Sequence, residues 1–254
     1  MNAASDMPGR RRGRIASRTA RVALALGLLC AAAALLAGPA YRLGLLPLGA
    51  GLQTMRWAAS GALGGVAMAL LAAGLGLGAT SRRGWLLVGL ALLLNAAVAT
   101  PPLLMYRTVQ TVPRIHDIST DTTDPPAFVA VLPLRKDAKN STAYGADTAA
   151  QQQRGYPDIA PLQLDLPPAQ AFARAEQAVR ALGWAVVAVA PDERRIEATD
   201  TTLLFGFKDD IVIRIRPQGA GSRIDMRSLS RVGGSDFGVN AQRVRRFMRQ
   251  MDAR

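Results

Sequence analysis

The sequence is poor in the residues from which most catalytic and metal centres are built. Its 254 residues include one cysteine, Cys30, and one histidine, His116. A lone cysteine in an apolar run excludes a disulfide or a cysteine metal cluster within one chain, and it leaves the redox compartment open. No HExxH spacing, no complete nucleophile triad and no glycine-rich nucleotide loop occurs. No acidic residue and no histidine lies inside the long apolar runs, which argues against a proton-coupled transporter.

What the chain has instead is hydrophobicity, 50% of its residues, unevenly spread. Residues 22–106 are almost entirely Ala, Leu, Gly and Val, interrupted by Arg42, Arg56, Arg82 and Arg83. Ten arginines against one acid leave +9 in residues 1–106, and 21 basic against 17 acidic residues leave +4 in 107–254. The net charge of +13 is therefore mainly a membrane signal and points away from nucleic acid.

Residues 57–79 and 84–106 are each 23 residues long without a charge, and residues 22–37 form a shorter uncharged run of 16. About 20 apolar residues cross the hydrocarbon of a bilayer, so three membrane spans are expected. Trp57, Trp85 and Tyr106 stand at run ends, where amphipathic rings favour the interface. Six arginines (Arg10, Arg11, Arg12, Arg14, Arg18 and Arg21) precede the first span, and Arg82 and Arg83 fill the turn between the second and third. The positive-inside rule then puts the N-terminus and that turn in the cytoplasm of a plasma-membrane protein, with the C-terminal part periplasmic or otherwise extracytoplasmic. A signal peptide ending at "AGPA" is the competing reading of the first run. Gly61 and Gly65 form a GxxxG pair, echoed by Ser60 and Gly64, that suits close helix contact or arises by chance from the composition. Asn95 is the one strongly polar side chain inside the third span, and it reads as an interhelical hydrogen-bond partner.

The organisation expected is a basic N-terminal segment (1–21), a three-span region (22–106) and a soluble domain (107–254). Residues 137–158 look like an exposed loop. In the domain, Pro167 and Pro168 suit a helix start, Phe172, Ala175, Val179 and Leu182 recur at helical spacing, and Gly183 suits the cap. Strands follow at 184–190, 195–207, 210–217 and 223–232, the last two alternating apolar and polar. Phe237, Ala241, Val244, Phe247, Met248 and Met251 form the apolar face of a final helix capped by Ser235 or Asp236. Four consecutive strands between two helices predict an α+β domain, an antiparallel sheet covered on one face.

Three polar clusters compete for a functional role. His116 with Asp117, Asp121 and Asp124, in "VPRIHDISTDTTDPPAF", reads either as a metal or general-base site or as a strap rich in turn residues. In "EATDTT…GFKDD", Asp200 falls on the apolar side of its strand with Ile196 and Ala198 and needs a partner, for which Arg227 or Arg231 of the last strand is expected. Asp209 and Asp210 are expected to mark a hairpin turn, or to join Glu197 and Asp200 as an acid pair for hydrolysis. In "RSLSRVGGSDFGVNA", Arg227, Arg231, Ser235 and Asn240 surround a glycine-rich turn entering a helix, which suits either an anion or a simple cap. Arg243, Arg245, Arg246 and Arg249 are expected on a solvated helix face.

Taken together, "IHDISTDTTDPPAF", "YPDIAPL", "IEATDTT…FGFKDDIVIRI" and "SRVGGSDFGVNAQRVRRF" resemble the bacterial family called domain of unknown function 1499, over about residues 114–251. The resemblance implies membrane attachment and one domain holding all three clusters. It brings no catalytic residue, cofactor or metal. The function expected is a membrane-tethered extracytoplasmic domain that binds a ligand or partner, an anionic headgroup or an envelope protein, at the bilayer surface. The alternative is a tethered hydrolase using His116 with Asp117 or Asp200.

Overall fold

The computed structural model describes residues 7–252, so the first six residues of the basic N-terminal segment lie outside the described residues. The chain divides into two compact units, residues 1–107 and 108–254. The first is built from α1 (Met7–Arg42), α2 (Leu48–Gly76) and α3 (Arg82–Thr111). All three are long and apolar enough to cross a membrane.

Small residues explain how these helices meet. Ala16, Ala20, Ala23 and Gly27 of α1, Ala62, Gly65, Ala69 and Ala72 of α2, and Gly84, Val88, Ala91 and Asn95 of α3 are buried, at alternating spacings of three and four. Leucines such as Leu28, Leu29, Leu70, Leu71 and Leu93 point outward. Lipid tails are as apolar as leucine, so helices in a bilayer gain most where small residues let backbones approach. Asn95 is fully buried, and its Nδ2 donates to the carbonyls of Ala23 (2.9 Å) and Ala91 (2.8 Å). The interhelical bond expected of it therefore ties α3 to α1. The GxxxG pair serves the same junction. A Cβ at Gly61 would come within 2.7 Å of Cys30 Sγ, and one at Gly65 would collide with Asn95 Oδ1.

The second unit is a six-stranded antiparallel sheet: β1 (Asp117–Ser119), β2 (Leu162–Leu164), β3 (Ala185–Ala190), β4 (Arg195–Thr201), β5 (Lys208–Gln218) and β6 (Gly221–Ser230). The order is β1-β6-β5-β4-β3, with β2 also on β6. The α+β class stands, with two strands more than the four read from the sequence. The segment expected as a loop holds a helix, α4 (Ala146–Gly155), and a 3₁₀ turn precedes it at Leu132–Arg135. Helices α5 (Pro168–Ala181) and α6 (Val239–Asp252) cover one face. Gly183 takes the left-handed conformation (φ 75°) that ends α5.

Because strand side chains alternate, each strand feeds both faces. Ile196 and Ala198 of β4, Ile211, Ile213 and Ile215 of β5, and Ile224 and Met226 of β6 pack under the helices with Val179, Val244 and Phe247. Trp184 stacks on Phe247 at 6.1 Å and joins β3 to α6. The opposite face is not open, as a one-face reading requires. Phe128 and Val131, from the strap between β1 and α4, pack there on Val212 and Leu229.

Candidate functional site

The strap lies over that face because side chains of the sheet hold its backbone. Glu197 of β4 is fully buried. Its carboxylate accepts from three successive amides, Val129 (3.1 Å), Ala130 (2.9 Å) and Val131 (2.9 Å), and from Arg195. Those amides precede the 3₁₀ turn and have no earlier turn to bond to, which is where a carboxylate fits best. Next along, Asp117 and Arg227 form a bidentate pair at 3.0 and 2.7 Å. Arg227 also donates to the carbonyls of Pro126 (3.3 Å) and Thr142 (2.7 Å), and its guanidinium lies 5.0 Å from the Phe128 ring and 5.3 Å from that of Tyr144. Gln152 of α4 bonds both the amide and the carbonyl of Ser119, so α4 closes the β1 edge.

At the end of this face where β5 begins, Asp210 is a hub. It accepts from Thr199 Oγ1 (2.7 Å), from Arg231 Nη2 (2.8 Å) and Nε (2.9 Å), and from Arg135 of the 3₁₀ turn. At the other end, Arg214, Arg216 and Arg223 interleave with Asp121, Asp124 and the buried Asp225 at 2.6–3.7 Å.

The helix-covered face carries its own cluster. Arg243 of α6, almost fully buried, binds Asp200 through Nε (3.0 Å) and Nη2 (2.8 Å) and Asp209 through Nη2 (2.8 Å). It also donates to Ser228 Oγ (3.1 Å) and Asn240 Oδ1. Asn240 Nδ2 donates to the His116 carbonyl and to Ser230 Oγ, both at 3.0 Å. Asp236 accepts from the amides of Gly238 (2.9 Å) and Asn240 (2.7 Å), which caps α6.

Several expectations change. Asp200 does share a face with Ile196 and Ala198, but its partner is Arg243 of α6 and not Arg227 or Arg231 of β6. Asp209 and Asp210 are not a turn. They are buried residues of β5 on opposite faces, each bonded to a different arginine. Arg243 leaves the solvated face assigned to it, because burial on that side of α6 is compensated by two carboxylates.

For the dyad reading, both oxygens of Asp117 are bonded to Arg227, and His116 Nδ1 is buried without a hydrogen-bond partner. For the anion reading, Arg227 and Arg231 are already matched to Asp117 and Asp210, so an incoming anion would have to displace a carboxylate. Ser235 Oγ accepts from the Phe237 amide at 3.2 Å. Among the described residues, no group of three or more His, Cys, Asp or Glu side chains is arranged to hold a metal ion.

Burial would raise the Asp210 carboxyl, but hydrogen bonds from Arg231, Thr199 and Arg135 outweigh it and hold the group below the ordinary carboxylate value of 3.8. A depressed acid stabilises the fold above its unfolded pKa and loses that contribution as pH falls through the folded one. Burial pushes Asp117 and Asp236 the other way. The effect of Asp210 is therefore read as a difference. Urea unfolding from neutral pH to below about pH 4 should show stability falling in the parent. Asp210→Asn should start lower and fall less, and parallel curves would remove Asp210 as the source.

A comparison with curated proteins finds no match. A family sequence model matches residues 117–251, from the start of β1 almost to the end of α6, just over half the chain. That span takes in the strap, the arginine–carboxylate clusters of both sheet faces and the α6 cap. This three-helix membrane protein with a soluble C-terminal domain thus belongs to the family described as a protein of unknown function, DUF1499.

Proposed function

We propose that the chain is a plasma-membrane protein of the cell envelope, with a cytoplasmic N-terminus and an extracytoplasmic domain that works by binding a partner at the membrane surface. One observation supports binding over catalysis. The carboxylates nearest to a catalytic role, Asp117, Glu197, Asp200, Asp209 and Asp210, are all engaged by arginines or by backbone amides. Groups so held are positioned to fix the shape of a surface, and moving a proton through them would break the packing that they secure. The side of the membrane rests on the arginines, which gather in the first turns of α1 ahead of its apolar run and at the first two residues of α3.

A reporter active only outside the cytoplasm tests this reading. Fused at the chain's C-terminus it should give signal, and fused at Arg82 it should not. The opposite pattern would overturn the proposed side and with it the class of partner.

A further inference from the structure

Of the 31 basic residues only three are lysines: Lys136, Lys139 and Lys208. They are distant in sequence, yet the fold gathers them at one end of the sheet. Arg231 defines that end. Its amide donates to the Lys208 carbonyl (3.0 Å), its Nη1 donates to the Leu134 carbonyl (2.6 Å), and its own carbonyl accepts from the Asn140 amide (3.1 Å). Lys136 and Lys139 are within two residues of those strap positions. All three lysines are exposed, and among the described residues none forms an ion pair. The arginines around them behave oppositely, with Arg135 and Arg231 both bonded to Asp210. Between Lys136 and Lys139 lies one exposed carboxylate, Asp137.

Exposed leucines lie on the same segments as the lysines. Leu132 and Leu134 of the 3₁₀ turn are 45% and 53% exposed, and Leu203, in the hairpin between β4 and β5, is 92% exposed. That hairpin is closed beside Lys208, where the Thr202 amide donates to the Phe207 carbonyl at 2.8 Å. Exposed leucines on the two segments that carry the lysines combine apolar surface with positive charge, the composition of a contact site. The chain also enters the domain here. The Ile115 carbonyl accepts from the Asp236 amide and the His116 carbonyl from the Ser230 amide, each at 3.0 Å, just after α3 ends at Thr111.

We infer that this end of the domain docks on an anionic phospholipid bilayer, with Leu132, Leu134 and Leu203 entering the interface and Lys136, Lys139 and Lys208 on the headgroups. Arginine's planar fork suits fixed carboxylate partners, whereas lysine is a hydrated point charge on a flexible stem that reaches a fluid array of phosphates. The inference requires the membrane anchor but is independent of which side the domain occupies, so the reporter fusions and the experiment below fail separately.

The test uses the full-length chain with Cys30→Ala and a polarity-sensitive fluorophore on Leu203→Cys, or in a second protein on Leu132→Cys. Each is placed in nanodiscs of zwitterionic lipid, with or without an anionic lipid. With anionic lipid, brominated acyl chains should quench both labels and acrylamide should be excluded. Replacing all three lysines by glutamine should lower the ratio of docked to undocked domain on the order of a hundredfold, and high salt should act in the same direction. Equal access of acrylamide in both lipids would overturn the proposal. So would quenching unchanged by the lysine replacements. Shielding that persists in detergent would show that protein covers the patch, and would overturn it too.

Discussion

Arg243→Leu should lower the stability of the domain by about 3–5 kcal/mol, the cost of leaving buried charge without its partner. The guanidinium bridges Asp200 and Asp209, cross-strand partners on β4 and β5, and it also satisfies Asn240 Oδ1 and Ser228 Oγ. Its side chain is 1% exposed, so water cannot replace what is lost. In a domain of this size the expected fall in melting temperature is on the order of 10 °C. Two further variants grade the effect. Asp209 is 7% exposed and Asp200 30%, so Asp209→Asn should cost more than Asp200→Asn. Arg243→Lys keeps the charge but not the fork, and should fall between parent and leucine. Melting of Arg243→Leu within a degree or two of the parent would mean that α6 does not depend on this cluster.

The second large effect is expected at Glu197, and it is local. Glu197→Gln exchanges one acceptor oxygen for an N–H₂ group facing the amides of Val129, Ala130 and Val131. Orphaning one or two such donors costs about 1–3 kcal/mol each. The loss should appear as faster hydrogen exchange at Val129–Val131 and around Phe128, with β5 and β6 less affected. Uniform loss of protection across the sheet would show instead that the strap and sheet open as one unit. Glu197→Ala serves as a control, since it removes the acceptor without adding a competing donor.

These two sites also show what the sequence could reveal. Alternation placed Asp200 with Ile196 and Ala198 correctly, because period two depends only on neighbouring residues. Its partner was hidden because Arg243 is 43 residues away and lies beside Val244 in a helix whose arginines all read as solvated. The pair Asp209 and Asp210 has the composition of a turn, and only the start of β5 at Lys208 sends one to each face. Strands β1 and β2 are three residues each, too short for alternation to register. Helix α4 buries Gln152 alone, so it carries no apolar stripe to find. The membrane helices, α5 and α6 were legible for the opposite reason, each having long runs or a repeated apolar face. The strap was recognised as turn-rich, but its attachment through Glu197 depends on backbone amides, which no side-chain pattern records.

The lysine distribution has a practical consequence for handling the protein. Acylating reagents and amine-directed crosslinkers will find only three side-chain amines, all at the end of the domain where β5 begins. Coupling through lysine would therefore hold every copy by that same end. Crosslinks between lysines therefore survey that end of the domain alone.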